Sequence, residues 1–168
     1  NTAKTVITIN PTSDFSSEQV IYVAIAASVE DFYDNAISAS SITFTAVDSV
    51  SPTIVFDPTD LEGQVPVTDK ITLTFSEAIR KIDSNTTLND TNVDALITLK
   101  DTNENGTDIG FNATINDPTN TIITIVPDSS FSSEQTVYVA IGATVEDYSD
   151  NAITASSITF VAADSTAP

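Results

Sequence analysis

The residues best equipped for chemistry in this chain are carboxylates. "VEDYSDN" (Val145–Asn151) groups Glu146, Asp147 and Asp150 beside Asn151, and "FSEAI" (Phe75–Ile79) adds Glu77. "SDFSSEQ" (Ser13–Gln19) offers Asp14 and Glu18, while Asp48 opens "DSVSP" (Asp48–Pro52). All of these are oxygen donors, a set that suits a hard cation such as Ca²⁺. If they converge, they repel one another unless a positive charge stands between them. The spacing matches no D-x-D-x-D-G calcium loop, so the expectation rests on topology and repetition.

Paired acids also serve glycoside hydrolysis. Here 24 acidic side chains make neighbouring pairs commonplace, and no Trp or Tyr cluster offers a platform for a sugar ring. The chain has no His and no Cys. That removes the commonest general base, thiolate nucleophiles, disulfides and cysteine zinc sites. A non-enzyme is expected. The net charge of −19, from 24 acidic and 5 basic side chains, disfavours nucleic acid and anionic membranes as partners. No segment approaches the ~20 apolar residues of a membrane span, so direct insertion is not expected. The chain starts at Asn1 and contains no Met, which reads as a piece of something longer.

The elements that must position these acids are strands. The 168 residues are 40% hydrophobic, with Ile, Val and Thr prominent, enough for a packed β-rich core. Period-2 alternation or short β-rich runs mark seven segments after residue 50: A, 53–57; B, 70–75; C, 95–100; D, 108–115; E, 121–126; F, 136–141; G, 157–161. Ile71, Leu73 and Phe75 face inward on B, as do Ile109, Phe111 and Ile115 on D. Val137, Val139 and Ile141 do so on F, and Ile158 and Phe160 on G. "DPTD", "NENG", "NDPTN" and "PDSS" supply turns between strands. The stretch 84–91 reads as a loop or one helical turn. Seven short strands in this length predict an all-β, Ig-like, seven-strand antiparallel β-sandwich.

One long phrase is written twice. "FSSEQVIYVAIAASVEDFYDNAISASSITF" (Phe15–Phe44) returns as "FSSEQTVYVAIGATVEDYSDNAITASSITF" (Phe131–Phe160), 116 residues later. Residues 1–50 align with 117–166 at about two-thirds identity, the signature of a tandem repeat. The domain reading follows. Residues 1–50 are the C-terminal half, strands E, F and G, of a preceding repeat. Residues 51–168 are one complete repeat plus the start of the next linker. Ile7, Ile9, Val23, Ile25, Ile42 and Phe44 would then form an apolar face with nothing to cover it.

The succession "SP-TIVFDP…VPVTDKITLTFSEAI…TIITIVPDSSF…QTVYVAI…VEDYSDNAI…ITF" resembles the bacterial Ig-like domain of the S-layer (SbsA) type, found in tandem repeats of surface and adhesin proteins. It departs in two places: Asp150 stands where that family carries a turn glycine, and Tyr138 falls one position late on strand F. The resemblance implies a spacer of secreted and surface proteins, bacterial and extracellular or at the cell surface.

In that topology the B–C and F–G loops share one pole. Asp48, Glu77, Asp147 and Asp150 become the candidate metal ligands, with Asp14, Glu18, Glu146 and Asn151 as further candidates and Ca²⁺ as the candidate cofactor. The expected function is that of a structural repeat module of a long adhesin, surface-layer or filament protein, a rigid spacer or polymer-forming unit. Its partners are adjacent repeats of the same chain or neighbouring copies in a filament. Pro52 in the short linker limits bending. The alternative is a carbohydrate- or protein-binding accessory module of a secreted enzyme. Tyr22 and Tyr138 are candidates for a tyrosine-corner contact, and Asn85, Asn89, Asn105 and Asn112 are formal glycan acceptors.

Overall fold

A computed structural model describes residues 5–68, 70–82, 86–116 and 118–167, and divides the chain into two compact units, 1–49 and 50–168. In the first, β1 (Val20–Ile25) pairs antiparallel with β2 (Ser40–Thr45), from Val20 opposite Thr45 to Ile25 opposite Ser40. The expected strand over the first ten residues does not form among those described. Its repeat counterpart in the second unit lies between two other strands, and nothing in residues 5–49 supplies their equivalents. A strand without a ladder leaves its amides to water.

The second unit holds β3 (Ile54–Asp57), β4 (Ile71–Phe75), β5 (Arg80–Lys81), β6 (Ile97–Asp101), β7 (Phe111–Ile115), β8 (Ile122–Pro127), β9 (Thr136–Ile141), β10 (Val145–Glu146) and β11 (Ser156–Val161). Four of them form an antiparallel sheet in the order β3-β4-β8-β7, and three form another in the order β11-β9-β6. Each of the seven expected segments overlaps one of these strands, although 95–96 of C fall in a 3₁₀ turn and 108–110 of D precede β7. β5 and β10 add a two-residue ribbon that the alternation did not foretell, making nine strands among the described residues of this unit.

Alternation decides the facing. On β4, Ile71, Leu73 and Phe75 are buried, and register sets Ile71 opposite Ile125 and Leu73 opposite Ile123 of β8. On the other sheet Val137, Val139 and Ile141 point inward, with Phe160 opposite Val137 and Leu99 opposite Val139. These residues belong to one core cluster, so the two sheets close on each other as a sandwich. On β7 the inward set is Ala113 and Ile115. Phe111 and Ile109 are only partly buried and pack against the core edge. Tyr138 lies mid-strand on the outer face, opposite Thr159 and Lys100, so it makes no tyrosine corner. Tyr22 is exposed.

Two features close edges that sequence patterns left open. After β3 the chain crosses to run beside β11. Leu61 N–H donates to the Thr159 carbonyl at 2.6 Å, and Val65 and Ala162 form a parallel bridge. At the other sheet, the Asp94 and Asp90 carboxylates accept from the Ala113 and Ile115 amides of β7 at 2.6 and 2.9 Å. Between residues 86 and 97 the chain also buries Leu88, Val93 and Leu96, ending in a 3₁₀ turn at Asp94–Leu96. The helical turn therefore falls later than the expected 84–91, of which 84 and 85 lie outside the described residues. In the "NENG" turn Gly106 is obligatory: a Cβ there would sit 1.7 Å from the Asp101 carbonyl oxygen.

Candidate functional site: an acid-rich loop closed by an arginine

The loop that follows β9 is organised by one carboxylate. Asp147 is 1% exposed. Its Oδ1 accepts from the backbone N–H of Ser149 at 2.7 Å and of Asn151 at 2.9 Å, and its Oδ2 accepts from Asn151 Nδ2 at 2.8 Å. The Asp147 N–H donates to the Asn151 carbonyl at 3.1 Å, and Ile153 returns to Val145 at 3.0 Å. This is an aspartate turn, and three N–H donors are what allow its charge to be buried. Asp150 sits at φ 69°, the left-handed region that favours glycine. Aspartate is among the few residues with a side chain that tolerate it.

Arg80 answers two of the other acids. The ribbon sets Glu146 opposite Arg80, whose Nε donates to Glu146 Oε1 at 3.2 Å. The same guanidinium ion-pairs with Asp150 and lies 5.5 Å from the centroid of the Tyr148 ring. For Glu146 and Asp150, the positive charge that converging acids require is thus a guanidinium. Sequence reasoning missed Arg80. The available signal was its place three residues after Glu77, as one of only 5 basic side chains.

Glu77, half-buried, follows the end of β4. A carboxylate oxygen of Glu77 and one of Asp147 lie within 4.8 Å of each other. A two-acid pair at that spacing fits the oxygen-rich shell of a hard cation. On either side of Glu77, the amides of Phe75 and Ile79 donate to the carbonyls of Thr121 (2.8 Å) and Asn120 (3.0 Å). The Asn120 side-chain oxygen is buried and has no hydrogen-bond partner among the described residues.

Asp48, Asp14 and Glu18 belong to the first unit. The Asp48 Oδ1 accepts from Ser17 Oγ at 2.6 Å, and Ser17 Oγ in turn accepts from Ser49 N–H at 3.0 Å. Asp14 is exposed, and Glu18 occupies a turn at φ 55° between Ser16 and Gln19. The clasp recurs in the second unit. There Asp164 accepts from Ser133 Oγ at 2.7 Å, and Thr166 adds a hydroxyl and an amide. Those donors, Thr166 first, hold the Asp164 carboxyl down at about 2.

The whole duplicated phrase keeps its geometry. Asp31 takes the place of Asp147, accepting from Tyr33 N–H at 2.8 Å and Asn35 N–H at 3.0 Å. Asp34 repeats the positive φ of Asp150, at 60°. Phe15 meets Phe44 edge-on at 6.0 Å and 72°, and Phe131 meets Phe160 at 5.6 Å and 72°. The strand register is the same in both copies.

Residues 48–162 match the family model described as "Bacterial Ig-like domain". That stretch is more than half of the chain, which therefore belongs to the bacterial Ig-like domain family. Among solved structures it is similar to CopC from Methylosinus trichosporium OB3b, with 12% identity and a TM-score of 0.46, over 70% of this chain and 98% of that one. None of the curated proteins matches the chain. No helix of the described residues is long and apolar enough to cross a membrane.

Proposed function

We propose that this chain is a structural repeat module of the S-layer type, cut from a tandem array of seven-strand Ig-like sandwiches in a bacterial surface, adhesin or filament protein. The observation that carries the reading is the duplicated phrase, whose turns, ring contact and strand register recur 116 positions apart. Near-copies of one rigid unit serve reach or polymer formation, and each contacts mainly its neighbours. The role is mechanical and not catalytic. The acids with the clearest contacts accept from backbone amides or pair with Arg80, as Asp147 and Glu146 do.

Antibody against residues 50–168 is expected to label intact cells of the source organism without permeabilisation. Labelling that appears only after lysis would refute the surface role. Ca²⁺ is proposed as the cofactor, with Glu77 and Asp147 of the second unit as ligands. By linkage, Ca²⁺ at 100 times its dissociation constant stabilises by about 2.7 kcal/mol, roughly 10 °C in Tm for a domain of this size. An identical melting curve in excess chelator and in millimolar Ca²⁺ would remove the metal from the proposal.

A further inference from the structure

Residues 5–49 carry a preformed apolar face whose twin in the second unit is sealed. Phe44 is 42% exposed where its counterpart Phe160 is 0%, Ile42 is 62% against 7% for Ile158, and Phe15 is 41% against 5% for Phe131. The outer edge of β1 is also open, since among the described residues of its unit β1 pairs with β2 alone, whereas β9 pairs with both β11 and β6. Ile7 and Ile9 lie beside Val23, Ile25 and Ile42 around one hollow on this face.

The second unit shows what covers such a face. Ile123 and Ile125, the counterparts of Ile7 and Ile9, sit between β4 and β7, opposite Leu73 and Ile71 on one side and Ile115 and Ala113 on the other. Val139 and Ile141, the counterparts of Val23 and Ile25, take Leu99 and Ile97 of β6 along their free edge. All of those covering residues come from 51–116. We infer that the face of residues 5–49 is a docking surface for a segment with the chemistry of residues 51–116. The segment comes from the same polypeptide, and its strands equivalent to β4 and β7 flank 6–11 while its β6 equivalent adds to the open edge of β1. The edge-on pair Phe15–Phe44 already holds the geometry of the sealed pair, so the surface is ready before the segment arrives. The inference rests on the repeat reading proposed above, but its failure is read on the purified chain and that of the surface role on cells.

The test is hydrogen exchange, read by mass spectrometry, on three chains. They are the chain as it stands, the chain with a second copy of residues 51–116 joined ahead of Asn1, and that extended chain with Leu73→Asp and Phe75→Asp in the added copy only. In the first, β1 amides are expected to exchange at least roughly 100-fold faster than those of β9. In the second they slow to within roughly tenfold of β9, and residues 6–11 become protected with them. In the third the protection is lost. Since β9 sits in the same molecule, its protection confirms in each case that the second unit has folded. Three outcomes overturn the inference: β1 unprotected in the extended chain, β1 equally protected with the Asp pair, or β1 as protected as β9 in the unextended chain. Light scattering on the unextended chain separates the last result into a half-unit that stands unaided and one covered by a second copy, and both are refutations.

Discussion

Replacing Arg80 with Ala tests whether the acid-rich loop depends on its internal cation. The Arg80 and Glu146 side chains are 13% and 6% exposed, with Nε and Oε1 3.2 Å apart. At an effective dielectric near 20, unit charges at that distance attract by about 5 kcal/mol. Desolvating the two ions costs several kcal/mol each, so the pair as a whole is worth little against an apolar pair of the same volume. Removing one partner is different, because Glu146 stays buried with its charge uncompensated. Arg80→Ala is therefore expected to cost about 3–5 kcal/mol, measured as the shift in urea midpoint followed by circular dichroism. The lost cation–π contact with Tyr148 adds about 0.5–1 kcal/mol. The double replacement Arg80→Met with Glu146→Leu should recover most of the loss. The reasoning fails if Arg80→Ala costs under ~1 kcal/mol, the range of a solvent-exposed pair. It also fails if the double variant is as unstable as the single one.

Two further outcomes follow, one from the same loop and one from the clasp at the opposite end of the β9–β11 hairpin. Asp147→Ala strips the acceptor from Ser149 N–H, Asn151 N–H and Asn151 Nδ2, and should cost about 2–4 kcal/mol even in chelator; a loss that vanishes without metal would make the aspartate a ligand only. Asp164 has its folded pKa depressed to about 2 from an ordinary 3.8, so its stabilising bonds are fully present above 3.8 and disappear as pH falls through 2. Carboxyl NMR should show this titration moving back toward 3.8 in Thr166→Val, whose side chain keeps the shape and loses the hydroxyl, and an unmoved titration there would contradict the assigned cause.

The strands were legible because burial in a sandwich imposes a period of two, and "ITLTF" and "TVYVAI" obey it with β-branched residues. What could not be read was structure that has no period. Val93 and Leu96 enter the core from a loop and a single 3₁₀ turn, and the crossing at Leu61–Val65 is held by backbone bonds, the Asp60 carboxylate and the buried Val65, none of which repeats with a period. The ribbon of β5 and β10 is two residues on each side, too short for alternation to register. The acids were legible as a cluster but not in their pairing. Which carboxylate meets Arg80 depends on the ribbon register, and that register is set by strands far apart in sequence.

The duplicated phrase turns one chain into its own control. Two copies of nearly the same residues adopt the same turns, the same clasp and the same two-strand register, although one is sealed and the other is bare. Local hydrogen bonding and short-range sterics therefore suffice to shape the F–G hairpin and its aspartate turn. The third strand behaves otherwise. Ile122–Pro127 is a strand between two neighbours, while its counterpart at residues 6–11 is none. Its conformation is a property of the ladder on either side, not of its own residues. A repeat of this kind thus divides into a half that is shaped locally and a half that needs its partners. Within the duplicated stretch the division falls between β8, which belongs to one sheet, and β9 with β11, which belong to the other.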